Sequence, residues 1–163
     1  MDPTLRSARV IVASTRAATG QYPDKTGPVI VEWLGAQDFR VDKPIVVPDG
    51  DAVGDAIRSA LADRVSLVIT TGGTGLSPTD VTPEQTAALL DHQIPGLADA
   101  IRRSGLPAVP TSILSRGVCG VAGRTLVVNL PGSTGGVRDG LAVLEGVLGH
   151  ALDQIAGVIT YER

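Results

Sequence analysis

Two aspartates and one glycine-rich segment carry the strongest chemical signal in this sequence. Thr70-Thr71-Gly72-Gly73-Thr74-Gly75 follows an apolar run and precedes Asp80. Glycines let an anion approach backbone N–H groups closely, and the threonine hydroxyls add donors. The segment lacks the Lys of a GxxxxGK[ST] loop and is not GxGxxG, so neither phosphate fingerprint applies. A tight turn after a buried strand fits the same residues. Asp49 follows a second apolar run. Carboxylates beside phosphates usually hold Mg²⁺, which takes one or two carboxylates plus phosphate oxygens and water. Asp49 and Asp80 each fit a second reading as helix N-caps.

Two further loops share the composition of the first. One begins at Ser14 and runs to Lys25; the other is Pro131-Gly132-Ser133-Thr134-Gly135-Gly136. Ser115-Arg116 precedes Gly117, where an arginine fits either phosphate pairing or a plain surface position. The remaining tests are negative. Asp49 to Ala60 starts like an EF-hand but fails at Val53 and ends on Ala60. HExxH, GxSxG and CxxC are absent. His92 and His150 read as solvated helix residues, and Cys119 as a small buried one.

The elements that must position these residues follow from hydrophobic patterning. Ala8 to Ala13, Phe39 to Val47, Val65 to Thr71 and Arg124 to Leu130 read as buried strands. Helical spacing follows Pro28, with Thr26 as its cap, and then Asp51 and Pro83. Prolines 95, 107 and 110 break the stretch from Ile94 to Gly123 into short helical pieces. A single last helix spans Val137 to Ile155. Strands alternating with helices predict a mostly parallel sheet covered on both faces. Ligands of such sheets bind beyond the carboxyl ends of the strands, where all three glycine-bearing loops fall.

Composition bounds the function. The chain has 163 residues, with 20 glycines and 11 prolines but only 2% aromatics. Its length fits one domain. A net charge of −3 with no basic cluster argues against nucleic acid, and so do the few aromatic platforms for single strands. No apolar run reaches the ~20 residues of a membrane span. The start, Met1-Asp2-Pro3-Thr4, lacks a signal-peptide pattern. One cysteine excludes an intrachain disulfide framework and suits a reducing, cytoplasmic setting.

TTGGTGLSPTDVTPE over Thr70 to Glu84, followed by LSRGVCGVAGRTLVVNLPGS over Leu114 to Ser133, resembles a known family. It is the molybdenum-cofactor biosynthesis family of MoaB, Mog and the gephyrin G domain. VPDG around Asp49 and Ser14-Thr15-Arg16 extend the resemblance to essentially the whole chain. The resemblance implies a three-layer α/β sandwich over residues 1–163, a single molybdopterin-binding domain and a homotrimer. The aliphatic stretch from Ile94 to Gly117 is a candidate for that interface. It further implies adenylylation: with Mg²⁺ present, the molybdopterin phosphate attacks the α-phosphorus of ATP and pyrophosphate leaves. The product would pass to a molybdate-insertion protein.

In that resemblance Asp49 holds Mg²⁺ and the nucleotide phosphates, and Asp80 positions the pterin or its phosphate. Ser14, Thr71, Gly72, Gly73, Thr74, Gly75, Ser115, Arg116, Pro131, Gly132 and Ser133 bind substrate. Two departures stand out. Thr15 replaces the acid or amide common in the first loop, and the later loops mix features of the MoaB and Mog branches. A non-catalytic molybdopterin carrier or scaffold is therefore the alternative reading. A nucleotide-metabolising enzyme resembling the competence-damage proteins is the third.

Overall fold

The computed structural model describes residues 5–158. Met1 to Thr4, read above for targeting signals, and Tyr161 lie outside them.

Strand β1 (Ser7–Ala13) is the apolar run expected, and it leads into the short helix α1 (Thr15–Ala18). Helix α2 (Thr26–Ala36) follows. Thr26 is its first residue, not its cap; instead Asp24 accepts the Gly27 N–H at 2.9 Å. The strand expected from Phe39 to Val47 is two strands, β2 (Arg40–Val41) and β3 (Ile45–Val47). Pro44 has no N–H to donate, so pairing is interrupted there. Both pieces lie parallel to β1, with Ser7 opposite Arg40 and Ala13 opposite Val47.

Helix α3 (Asp51–Ala62) buries Val53, Ile57 and Ala60 and turns Asp55 and Arg58 to water. Strand β4 (Leu67–Thr71) is wholly buried, and α4 (Thr82–Ala87) begins beyond its loop. Next come β5 (His92–Gln93), α5 (Pro95–Arg103) and a 3-10 turn at Pro110–Leu114. His92 therefore lies on a strand, although it is exposed as expected. Strand β6 (Cys119–Ala122) precedes β7 (Thr125–Leu130). The single last helix is two, α6 (Thr134–Glu145) and α7 (Leu148–Ile155). They part at Gly146-Val147, where glycine weakens the helix, and the turn still buries Leu144, Leu148 and Leu152.

Among the described residues the sheet has seven strands, in the order β2-β1-β4-β7-β6-β5 with β3 also beside β1. β1, β4 and β7 are parallel neighbours. The far edge is antiparallel, because only Gly123 and Arg124 connect β6 to β7. Gly123 adopts φ 59°, as a tight hairpin requires. Period-2 alternation divides the core. Leu67, Ile69, Leu126 and Val128 pack with α2, α5, α6 and α7, while Val68 and Val127 pack with α3. The result is a three-layer α/β sandwich with a mostly parallel sheet. Parallel pairing also sends the ends of β1, β3, β4 and β7 to one edge, and that edge carries the site.

Candidate functional site

The loop after β4 is shaped by what glycine permits. Gly72 sits at φ 90°, and a Cβ there would lie 2.4 Å from the Ala13 carbonyl oxygen of β1. Gly73 sits at φ 69°, where a Cβ would meet the Thr82 hydroxyl at 2.3 Å and Asp49 Oδ1 at 3.2 Å. Only glycine lets the loop pass so close to both its neighbours. The Thr82 N–H donates to the Gly73 carbonyl at 3.1 Å, fastening the start of α4 under the loop. The buried Thr82 hydroxyl has no hydrogen-bond partner among the described residues.

Neither aspartate caps a helix. Gly50, at φ 113°, stands before α3, and Val81 stands before α4. Asp49 Oδ2 instead accepts from the Thr15 hydroxyl at 3.1 Å and the Thr15 N–H at 3.3 Å. The same hydroxyl accepts the Asp49 N–H at 3.1 Å, so Thr15 and Asp49 join the β1 and β3 loops reciprocally. Asp80 Oδ2 accepts the Ser77 N–H at 3.1 Å, and the Asp80 N–H returns to Ser77 at 2.9 Å. Each carboxylate therefore keeps Oδ1 free of protein partners among the described residues.

Two clefts, each about 750 Å³, flank the glycine loop. The first runs over apolar side chains, including Leu76, Ile101, Val109 and Leu114, towards Ser115 and the start of α6. The second is more polar and holds Ser14, Thr15, Arg16, Lys25 and Asp49. Gly73, Asp80 and Gly132 line both, so the clefts meet at those residues. Helix α6 opens on the first cleft with Ser133 as its cap, whose Oγ accepts the Gly136 N–H at 3.1 Å. Its first turn carries no acid, so its partial positive end favours an anion.

The structure brings most of the expected residues to this edge. Gly73, Thr74, Gly75, Ser115, Pro131, Gly132 and Ser133 line the first cleft, and Ser14, Thr71, Gly72 and Asp49 the second. Ser14 caps α1 through the Ala17 N–H, which leaves its hydroxyl proton free to donate. Thr71 faces inward: fully buried, it donates to the Pro131 carbonyl at 2.8 Å and ties β4 to β7. Thr74 is buried too, with Oγ1 3.2 Å from Ser115 Oγ.

Arg116 departs from expectation, since it lines neither cleft. Its guanidinium donates to the Gly75 carbonyl at 2.9 Å, the Asp80 carbonyl at 2.7 Å and both Glu84 oxygens at 2.8 and 3.0 Å. Each of its three nitrogens donates to a protein acceptor. Those hydrogen bonds, followed by the attraction of the guanidinium charge, hold the Glu84 carboxyl below its ordinary range. Burial pushes the Cys119 thiol up to about 12, so it is inert at neutral pH, as its glycine-flanked sequence suggests. Lys25, Arg102 and Asp139 also stand on the cleft walls, although nothing in their local sequence marks them.

A divalent cation can be tested against these donors. Among the described residues no group of three or more His, Cys, Asp or Glu side chains could cage a metal. The Asp49 and Asp80 Oδ1 atoms fit an ion that takes one or two carboxylates and completes its shell with phosphate and water, which is the habit of Mg²⁺.

Fold and site together define an α/β protein with two clefts that meet at one glycine-lined junction at the carboxyl edge of a parallel sheet. Residues 9–150 match the family model described as a probable molybdopterin binding domain. The chain belongs to that family. It is 39% identical over 149 residues to a molybdopterin adenylyltransferase of Escherichia coli K12, covering 88% of this chain and 74% of that protein. A Helicobacter pylori J99 protein of the same name is 33% identical, covering 91% and 86%. The chain spans about half, 47%, of a bifunctional molybdenum cofactor biosynthesis protein of Synechococcus elongatus, at 38% identity. A solved Mog protein from Mycobacterium ulcerans superposes with TM-score 0.90 at 64% identity, covering 94% of this chain and 99% of that one. MoaB from Thermus thermophilus gives 0.87 at 41%, covering 94% and 98%. CinA of Thermoplasma acidophilum, at 21% identity and TM-score 0.65, shares the fold. Among the described residues no helix is long and apolar enough to cross a membrane.

Proposed function

We propose that this protein is a molybdopterin adenylyltransferase, joining the terminal phosphate of molybdopterin to the adenylyl group of ATP. The observation that carries the reading is the pair of clefts meeting at Gly73, Asp80 and Gly132. A bisubstrate transfer needs two binding walls and one shared point of reaction, and the relatives named for this activity share most of the chain.

The apolar cleft suits the pterin, with its phosphate directed to the start of α6. The polar cleft suits ATP, with Lys25 and Arg16 near its phosphates. A phosphate oxygen of molybdopterin attacks the α-phosphorus. The new P–O bond forms as the α–β bridge breaks, and the electron pair leaves with pyrophosphate. No protein nucleophile is needed; positioning and charge neutralisation do the work. Mg²⁺, when bound, offsets the charge of the phosphate chain. Asp49 Oδ1 would hold it, with Thr15 fixing the carboxylate orientation through Oδ2. Asp80 lies at the junction, where its free oxygen would orient the incoming phosphate. With few rings near either cleft, contacts to the two heterocycles are mainly hydrogen bonds and aliphatic surface. The reading extends to a cytoplasmic homotrimer that passes its product to a molybdate-insertion protein.

Purified protein incubated with molybdopterin, ATP and Mg²⁺ should give adenylyl-molybdopterin and pyrophosphate in equal amounts. A stable molybdopterin complex with no product would replace this reading with the carrier. Binding of ATP without molybdopterin would replace it with a nucleotide enzyme.

A further inference from the structure

We infer that Arg116, held by Glu84, is a positioning residue of this site, setting the place of Asp80 by clamping main-chain carbonyls and meeting no ligand itself. The loop leaves β4 at Gly72 and runs through exposed Leu76, Ser77, Pro78 and Thr79 before reaching Asp80. Its own bonds, between Ser77 and Asp80, close only a local turn. The loop is fixed from outside two residues before that turn and at its last residue. Nε of Arg116 takes the Gly75 carbonyl and Nη2 takes the Asp80 carbonyl, so one planar group spans the turn. The Arg116 N–H donates to the Thr74 carbonyl at 2.8 Å, fastening the clamp to the loop at a third point.

Glu84 supplies the other half of the device. Its carboxylate takes Nη1 from α4, which aligns the guanidinium and offsets its charge. The site therefore gains geometry from Arg116 without gaining a free cation. A lysine cannot copy this, because an ammonium lacks the flat fork that reaches three acceptors in fixed directions. The role of Asp80 rests on the function proposed above; the clamp itself is visible in the free protein.

The test uses the full chain with Arg116→Lys, Arg116→Ala and Glu84→Gln. Hydrogen exchange at the Ser77 amide reports the turn without any ligand. In Arg116→Lys it should quicken about tenfold or more, with the β4 and β7 amides unchanged. Adenylyl transfer should lose kcat on the order of 100-fold, as a misplaced group costs, while KM for ATP moves less than about threefold. Guanidinium ion added at millimolar concentration should restore part of the Arg116→Ala activity. Should the Ala variant not fold, the Lys variant carries the same two measurements. A raised KM with unchanged kcat and unchanged Ser77 exchange would overturn the inference and make Arg116 a ligand contact. If the wild type makes no adenylyl-molybdopterin, the proposed function falls, and Ser77 exchange alone decides the clamp.

Discussion

The loop after β4 presents one acid to the site and the loop after β1 steadies the other, Asp49 beyond β3, and the two loops are secured in different ways. The β4 loop is built on glycines in the left-handed region, pinned below by the Thr82 N–H and above by Arg116. The β1 loop is largely exposed. Its tie to the site is the reciprocal pair of Thr15 and Asp49, with Arg16 resting 5.5 Å over the Tyr22 ring. Asp80 is held by Arg116 at its carbonyl and by Ser77 at its N–H and Oδ2, whereas one residue, Thr15, meets both the N–H and the Oδ2 of Asp49.

The contrast can be broken most severely at the acids themselves. Asp49→Ala or Asp80→Ala should each lower adenylyl transfer by on the order of 1,000-fold in single-turnover assays, with the melting temperature nearly unchanged. Full activity in both would remove their assigned roles. Gly72→Ala strikes the seam between the loops, because its Cβ would meet the Ala13 carbonyl at 2.4 Å and its φ is 90°. It should cost about 2 kcal/mol or more in denaturant unfolding. Thr15→Val removes the hydroxyl that orients Asp49. It should reduce kcat/KM about tenfold, the kinetic equivalent of one hydrogen bond to a charged group. Raising Mg²⁺ should recover part of the loss, as it should not for Arg116→Lys.

The smallest effect sharpens the clamp. The Glu84 carboxyl is held below its ordinary value of 4.5, so its pairing with Arg116 is fully present above that value. It is lost as pH falls through the lowered value in the folded protein. Protection of Ser77, corrected for intrinsic exchange, should therefore fall in acid for the wild type. In Glu84→Gln it should be lower at neutral pH and flatter with pH.

Strands β1, β4 and β7 were legible because runs such as VSLVITT are short, apolar and rich in β-branched residues, which suits a buried strand. The loops at their ends were legible from glycine, serine and threonine. The far edge was not. Cys119-Gly-Val-Ala has small residues and no alternation, and it becomes a strand only because Gly123 folds it back on β7. The final helix read as one stripe because Gly146-Val147 breaks it without shifting Leu144, Leu148 and Leu152 out of the core.

The sequence by itself determined the layered sheet, the edge on which its loops collect and the residues that could meet phosphate there. Those follow from local pattern: apolar runs must be buried, and glycine permits close approach. Only the tertiary structure decided what each polar group does. It turned Thr71 inward to tie two strands, gave Thr15 to Asp49 and spent Arg116 on the loop it crosses. Such partnerships join residues more than 30 positions apart, and a hydrogen bond depends on distance and direction in space, which local pattern does not carry.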